Sequence, residues 1–330
     1  MAAVRLISLL LASACLLSCT RRQEPAASST IAVIPKGTTH EFWKSIHAGA
    51  LKAAGESGVE ILWKGPLRED DREGQISIVE DFISRGVAGI VLAPLDNIAL
   101  RAPVANAVRA GIPVVIIDSD LKSEDYTSFV ATDNYLGGRM GARALVRLLD
   151  GRGRVIMLRM SEGSASTSHR EQGFLDEVAL SSGITVVSSN QYGGTSTESA
   201  YKASENLLAP LKDPAGVLSI DGIFTVNEST TFGMLRALQD GGVAGSVRFV
   251  GFDASPKLVE ALERGEIDGL VLQNPFGMGY EGVRTMVAHL KGEPVARRVD
   301  TGVLVATREN MASPEVAQRL APDLSEWLKE

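Results

Sequence analysis

The chain has 330 residues, 45% of them hydrophobic, two cysteines, and a net charge of −7 at neutral pH. That is apolar material for two lobes with sizeable cores, and because both cysteines precede residue 20, a disulfide framework is excluded for everything after them. The 33 basic residues are dispersed among 40 acidic ones. Nothing supplies the basic stripe of a nucleic-acid-binding surface, so the partner is read as small or neutral.

The first element is the apolar run Leu6 to Leu17, too short for a hydrocarbon core that needs about 20 helical residues. With Arg5 before it and small residues at its end, it reads as the core of a secretory signal peptide. Leu16-Leu17-Ser18-Cys19 resembles the bacterial lipoprotein box, in which a small residue precedes a Cys that becomes the lipidated start of the mature chain; Leu17 is bulkier than that box usually carries. Ordinary secretion with an incidental Cys19 is the competing reading. Against it, cleavage leaves Cys19 no second cysteine to pair with. Residues 1–19 are therefore expected to be a lipoprotein signal peptide ending at a lipidated Cys19, and residues 20–29, "TRRQEPAASS", a polar tether that cannot pack a core. The expected location is the cell envelope or periplasm, with the chain lipid-anchored to a membrane.

From residue 30 onward, short apolar runs alternate with stretches of helical length, the pattern of βαβ units on a parallel sheet. The strands read "IAVIP", "VEILW", "GIVLAP", "PVVIID", "RVIMLRM", "TVVSSN", "GIFTV", "VRFVGF" and "GLVLQ". Helix-period apolar positions run through His40 to Gly55, Asp71 to Arg85 and Glu228 to Asp240. "REDDRE", Arg68 to Glu73, is read as a solvated helix start. Asp133 and Asn134 in "ATDNYLGG" are read as the cap of the helix from Tyr135 and as a crossing between lobes. An internal echo supports two lobes: "TIAVIPKGTTHEFWKSIHAGALKAAGESGVEILW" and "RVIMLRMSEGSASTSHREQGFLDEVALSSGITVVSS" both run strand, loop, helix, stop, strand. The fold class is therefore α/β, two doubly wound parallel-sheet lobes.

In open parallel sheets, ligands lie beyond the carboxyl ends of the strands. There stand Lys36 to Trp43, Asp118-Ser119, the stretch "STSHREQGF", Asn227, Asp253 and Gln273. Together with "FVATDNYLGGRMGARAL", "TVNESTTFGMLRALQ" and "VGFDASP", these stretches resemble, in order and over Thr30 to Thr307, the periplasmic sugar-binding proteins related to ribose-binding protein (periplasmic binding protein type I). The resemblance implies a hinge crossed three times by the chain, near Asp133, Gln273 and Thr301, with one lobe from 30–132 and 274–300 and the other from 133–273 and 301–330. It implies that Phe42 and Trp43 stack on a sugar ring, that Asn227, Asp253 and Gln273 meet its hydroxyls, that Asp118 is the carboxylate of the first lobe, and that His40 stands where the family often has Asn. Two positions depart from ribose-type members: Ser119 replaces an arginine after Asp118, and Ser168 replaces the first of two arginines, leaving Arg170. A serine donates one hydrogen bond where an arginine fork donates up to five. Lys36 with Asp118 instead resembles the subgroup that takes up autoinducer-2, although Asn227-Glu228 departs from it. Read alone, a strand-end Asp can equally be a helix N-cap, and Phe42 or Trp43 can belong to the core.

No enzyme is expected. "GMGYEG", Gly277 to Gly282, fits a dinucleotide fingerprint, but it lies behind Pro275 with no room after it for such a domain. His40, His47, His169 and His289 have no metal-ligand spacing, and there is no catalytic thiol or G-x-S-x-G; no metal or cofactor is expected. A transcription regulator of the same fold would need a DNA-binding helix pair where the signal peptide stands. The expected function is that of a monomeric substrate-binding lipoprotein of an ABC-type sugar importer, presenting a neutral monosaccharide or similar small polyol to its permease. The alternative is a sugar- or autoinducer-2-like signal binder that feeds a membrane sensor or chemoreceptor.

Overall fold

The computed structural model describes residues 30–328; the expected signal peptide, Cys19 and tether lie outside them. In chain order the elements are β1 (Thr30–Ile34), α1 (Glu41–Ser57), β2 (Glu60–Trp63), α2 (Arg72–Arg85), β3 (Gly89–Leu92), α3 (Arg101–Arg109), β4 (Val114–Ile117), β5 (Ser128–Ala131), α4 (Asn134–Leu148), β6 (Arg152–Arg159), α5 (Ala165–Val178) and β7 (Gly183–Tyr192). There follow α6 (Thr197–Leu208), β8 (Gly222–Thr225), α7 (Glu228–Asp240), β9 (Arg248–Phe252), α8 (Pro256–Arg264), β10 (Gly269–Leu272), α9 (Pro275–Leu290), β11 (Arg298–Asp300), β12 (Leu304–Ala306) and α10 (Pro314–Leu320). No described helix is long and apolar enough to cross a membrane.

The strands form two six-stranded sheets, β2-β1-β3-β4-β5-β11 and β7-β6-β8-β9-β10-β12. All neighbours are parallel except β10 and β12. Strands such as Gly89–Leu92 and Val114–Ile117 are buried at every residue, because helices cover both faces of each sheet and neither face meets water. In the first sheet, Ile34, Ile90 and Ile116 point to one core with Val79, Phe82 and Val104, while Val33, Val91 and Val115 point to the other with Trp43, Ile46 and Met286. The second sheet is likewise sandwiched between two cores. The left-handed residues Gly58 and Gly86 end α1 and α2, a conformation that costs glycine nothing sterically.

The chain passes from one sheet to the other between β5 and α4, between β10 and α9, and between β11 and β12. At the first two crossings the incoming helix docks onto the helix that follows the first strand of its new lobe, α4 against α5 and α9 against α1. Both contacts are made through reciprocal glycines. A Cβ on Gly49 would fall on the carbonyl oxygen of Phe276 and one on Gly279 on that of Ile46; Gly138 and Gly173 stand in the same relation to Arg170 and Tyr135. The glycines of "GMGYEG" therefore belong to helix packing and helix capping rather than to a phosphate loop.

Candidate functional site

The carboxyl ends of both sets of parallel strands face each other across a cleft. Asp118 follows β4 and Asp253 follows β9, the corresponding strands of the two sheets. Both are in the left-handed region, φ 61° and 68°. Each donates its backbone N–H to the next strand, Asp118 to the Val130 carbonyl and Asp253 to that of Val271. An aspartate held at positive φ stores strain that surrounding structure must offset, and such residues cluster at functional sites.

The cleft is lined by Lys36, His40, Phe42, Trp43, Glu69 and Asp118 from one lobe and by Met160, Ser166, Thr167, Arg170, Asn227, Glu228 and Asp253 from the other, with Gln273 at the crossing. Lys36, 3% exposed, pairs with Asp118 at 2.8 Å and reaches across to Ser166 Oγ at 3.0 Å. Arg170, 2% exposed, donates to Asn134 Oδ1 and to the Val226 carbonyl, both at 2.8 Å, and lies 3.9 Å from Asp253. Asn134 in turn donates to the Asp118 carbonyl, which ties the two strand-end aspartates together through one amide. Asp253 accepts from Gln273 Nε2 at 2.7 Å and from the Glu228 N–H at 3.1 Å. Gln273 Oε1 is buried with no partner among the described residues. Phe42 and Trp43 meet edge to face at 5.0 Å, line the cleft and also pack in the first-lobe core.

The electrostatics follow from burial and pairing. Burial works against a charge on His40, but the hydrogen bond and charge of Glu69, with Glu228 and Asp253, carry its pKa up to about 9. Burial pushes Glu69 up, but the hydrogen bond and charge of His40, with the charge of Lys36 and the Trp43 hydrogen bond, together hold it below the usual carboxylate range. Burial lifts Glu228 to about 7, opposed by His40, and also raises Asp253, opposed by Arg170. The lobes are shut in this structure. Asn97 N–H donates to the Gly163 carbonyl across the lip at 3.0 Å, and the void left among the cleft residues is about 20 Å³, room for about one water. A larger cavity, about 330 Å³, shares Phe42, Asp253 and Gln273 as a wall and is closed by α8 and residues 319–324; its lining is mostly apolar, and the polar groups converge on the smaller space. No group of three His, Cys, Asp or Glu placed to hold a metal ion occurs among the described residues.

Of the residues picked out in the sequence, Lys36, His40, Phe42, Trp43, Asp118, Arg170, Asn227, Asp253 and Gln273 line this cleft. Ser119 lies beside it, fully buried, bonded to Ser166. Ser168 does not. It is exposed on the outer side of α5, and Ser166 and Thr167, two residues and one residue earlier on the inner side, take that place. Asn227 is also the N-cap of α7, its Oδ1 accepting from the Thr230 N–H and its Nδ2 donating to Ser229, so much of its hydrogen-bonding capacity is spent locally. The solvated reading of "REDDRE" is corrected at Glu69. That residue is 7% exposed and accepts from Trp43 Nε1 at 2.7 Å and from His40. The other five residues of the run are exposed as expected, with Asp71 capping α2 and Arg72 and Glu73 opening it. Ser164 and Ser166 were accessible from the internal echo, which places their loop opposite Lys36 to His40. Glu69 and Glu228 carried no such signal.

Residues 31–294 match the family model for the periplasmic binding protein domain. The ribose import binding protein of Salmonella typhimurium is 30% identical over 285 residues, 86% of this chain and 93% of that protein. The D-allose-binding periplasmic protein of Escherichia coli is 28% identical over 269 residues, 79% and 84% of the two chains. Among solved structures, a carbohydrate transporter solute-binding protein from Agrobacterium radiobacter in complex with D-arabinose has a TM-score of 0.84 at 33% identity, covering 90% of this chain and all (100%) of that one. An ABC transporter solute-binding protein from Agrobacterium vitis with bound D-fucose has a TM-score of 0.83 at 35% identity, covering 88% and 100%.

Proposed function

The chain belongs to the periplasmic binding protein family, and from that membership and the charge balance of its cleft we propose that it is the substrate-binding subunit of an ABC-type sugar importer, taking a neutral monosaccharide or similar small polyol between its lobes. The balance carries the reading. Lys36, His40 and Arg170 are matched by Glu69, Asp118 and Asp253, and the fourth carboxyl group, Glu228, is lifted by burial to about 7, so an anionic ligand would find no spare cation there, a costly position in a desolvated site. A hydroxyl suits it instead, because it both donates and accepts, and the free Oε1 of Gln273 offers an acceptor. Phe42 and Trp43 supply apolar faces for the C–H side of a ring. Relatives named for ribose and allose, and neighbours with bound D-arabinose and D-fucose, support the same class.

A void of about 20 Å³ does not hold a sugar. The lobes part to admit it and close with the ring between them, and the ligand stabilises the closed form by the contacts that form alone provides. The permease then reads the closed shape. Isothermal calorimetry against pentoses, hexoses, deoxy-sugars and autoinducer-2 tests the assignment: at least one of these binds with the lobes closing in small-angle scattering. Tight binding of an amino acid or a phosphorylated compound with no sugar response overturns it.

The amino-terminal pattern supports export and anchoring through Cys19. One acyl chain holds a protein at a membrane only marginally and two hold it stably. Cys19→Ala moves the expressed protein from the membrane to the soluble fraction; a wild-type protein equally soluble and without acyl mass removes the anchor from the proposal.

A further inference from the structure

Two of the helices that open onto the cleft leave their own N-termini uncapped. The N-cap residues, His40 of α1 and Ser164 of α5, make no side-chain cap hydrogen bond. In both cases the facing lobe supplies the acceptor. The Glu228 carboxylate accepts from the Phe42 N–H at 3.2 Å and the Glu41 N–H at 3.4 Å, and Ser119 Oγ accepts from the Ser166 N–H at 3.0 Å. The helices hold equivalent places, each between the first strand of its half and the outermost one. A helix N-terminus needs acceptors for its first N–H groups, and here part of that need is met across the cleft.

We propose that Glu228 and Ser119 set the balance between open and closed lobes, each capping the helix that follows the first strand of the opposite lobe with bonds that exist only when the cleft is shut. They govern sugar affinity as positioning residues, through the amides of α1 and α5. This rests on the sugar-binding reading of the cleft.

Glu228 adds a sensitivity to pH. The titratable groups facing it are His40 from α1 and Asp253 from the end of β9, with Glu69 behind the first and Arg170 behind the second. Glu69 shares a lobe with His40, so that pair survives opening. Burial holds the Glu228 pKa at about 7 in the shut cleft; parted lobes return it to water and to the ordinary carboxylate range. The closed state therefore binds the proton more tightly, closure takes one up, and it weakens as pH rises through neutrality.

The test uses Glu228→Gln, Glu228→Ala and Ser119→Ala in the full chain. The probe is whichever of D-ribose, D-allose, D-arabinose and D-fucose binds wild type most tightly. Each alanine variant weakens binding about two- to thirtyfold, the range of a lost cap. Wild-type affinity falls about tenfold or more from pH 5.5 to 8.5, and Glu228→Gln, which keeps a carbonyl acceptor but exchanges no proton, flattens that profile. In parallel, electron–electron resonance between spin labels at Leu67 and Leu180, one on each lobe and both exposed, follows the closed fraction with and without the sugar, in a chain whose Cys15 and Cys19 are replaced by Ser. Wild type closes more at pH 5.5 than at 8.5, and Glu228→Gln does not distinguish the two. A wild-type slope retained in Glu228→Gln, or alanine variants that lower the ligand-free melting temperature while leaving affinity and closed fraction alone, overturns the proposal. Absence of binding by every sugar instead defeats the sugar reading, and the label distances in ligand-free protein still decide the caps: a closed fraction indifferent to pH in wild type rejects them.

Discussion

Arg170→Ala lowers the unfolding free energy by about 3–5 kcal/mol, the cost of stripping a buried ion pair of one partner, and removes measurable sugar binding. The guanidinium is 2% exposed, bonds Asn134 and the Val226 carbonyl, lies 3.9 Å from Asp253 and sits 4.1 Å over the Phe252 ring. Alanine leaves those acceptors without a donor in a site closed to water. Burial already raises the Asp253 carboxyl, and Arg170 is the main influence holding it down; without it that pKa climbs further. The folded variant then binds the proton more tightly than the unfolded chain, so its stability falls with rising pH, and the deficit against wild type is larger at pH 8 than at pH 5. Guanidinium unfolding at the two pH values, with calorimetry on the probe sugar, checks both parts. A loss below about 1 kcal/mol and independent of pH means that the desolvation of Arg170 cancels its pairing, and its assigned role in the cleft falls with it.

Gly279→Ala destabilises the chain by about 3 kcal/mol or more, at or above the upper end of ordinary overpacking. The added methyl falls on the Ile46 carbonyl, and backbone cannot swing aside as a long side chain can. The helices α1 and α9 have to separate, which loosens the core around Trp43 and Met286 and shifts Phe42 at the cleft. Gly138→Ala does the same between α4 and α5, where the obstacle is the carbonyl of Arg170 itself. Gly55→Ala is the internal control. It lies within α1 with nothing within 4 Å of a new Cβ, so the better helix former stabilises by about 0.5–1 kcal/mol. Thermal or chemical melting of the three variants measures the contrast; Gly279→Ala and Gly55→Ala of equal stability would show that the helix pairs are not held by close backbone approach.

What the sequence alone determined is whatever depends on neighbours along the chain. Buried strands read as short apolar runs, helices as a period of 3.6, and their alternation demands parallel sheets, so the α/β class and the two-lobe echo were legible from residue 30 onward. Parallel sheets bring their carboxyl ends to one edge, which is why Asp118, Asp253 and Gln273 could be placed at the cleft from position alone, and why Lys36 and His40 could be placed on the loop after β1. The tertiary structure decided the rest. Ser168 and Ser166 differ by half a helical turn, and which of them faces inward depends on the roll of α5 against α4, set by Gly138 and Gly173. Glu69 looked like one more charge in an acidic run until Trp43 and His40, 26 and 29 residues earlier, closed over it. Glu228 meets α1 from 186 and 187 residues away. A local pattern records a residue's own helix or strand; it does not record which charge the opposite lobe brings to a helix end, because that depends on how two separately folded sheets are set face to face by the three crossings between them.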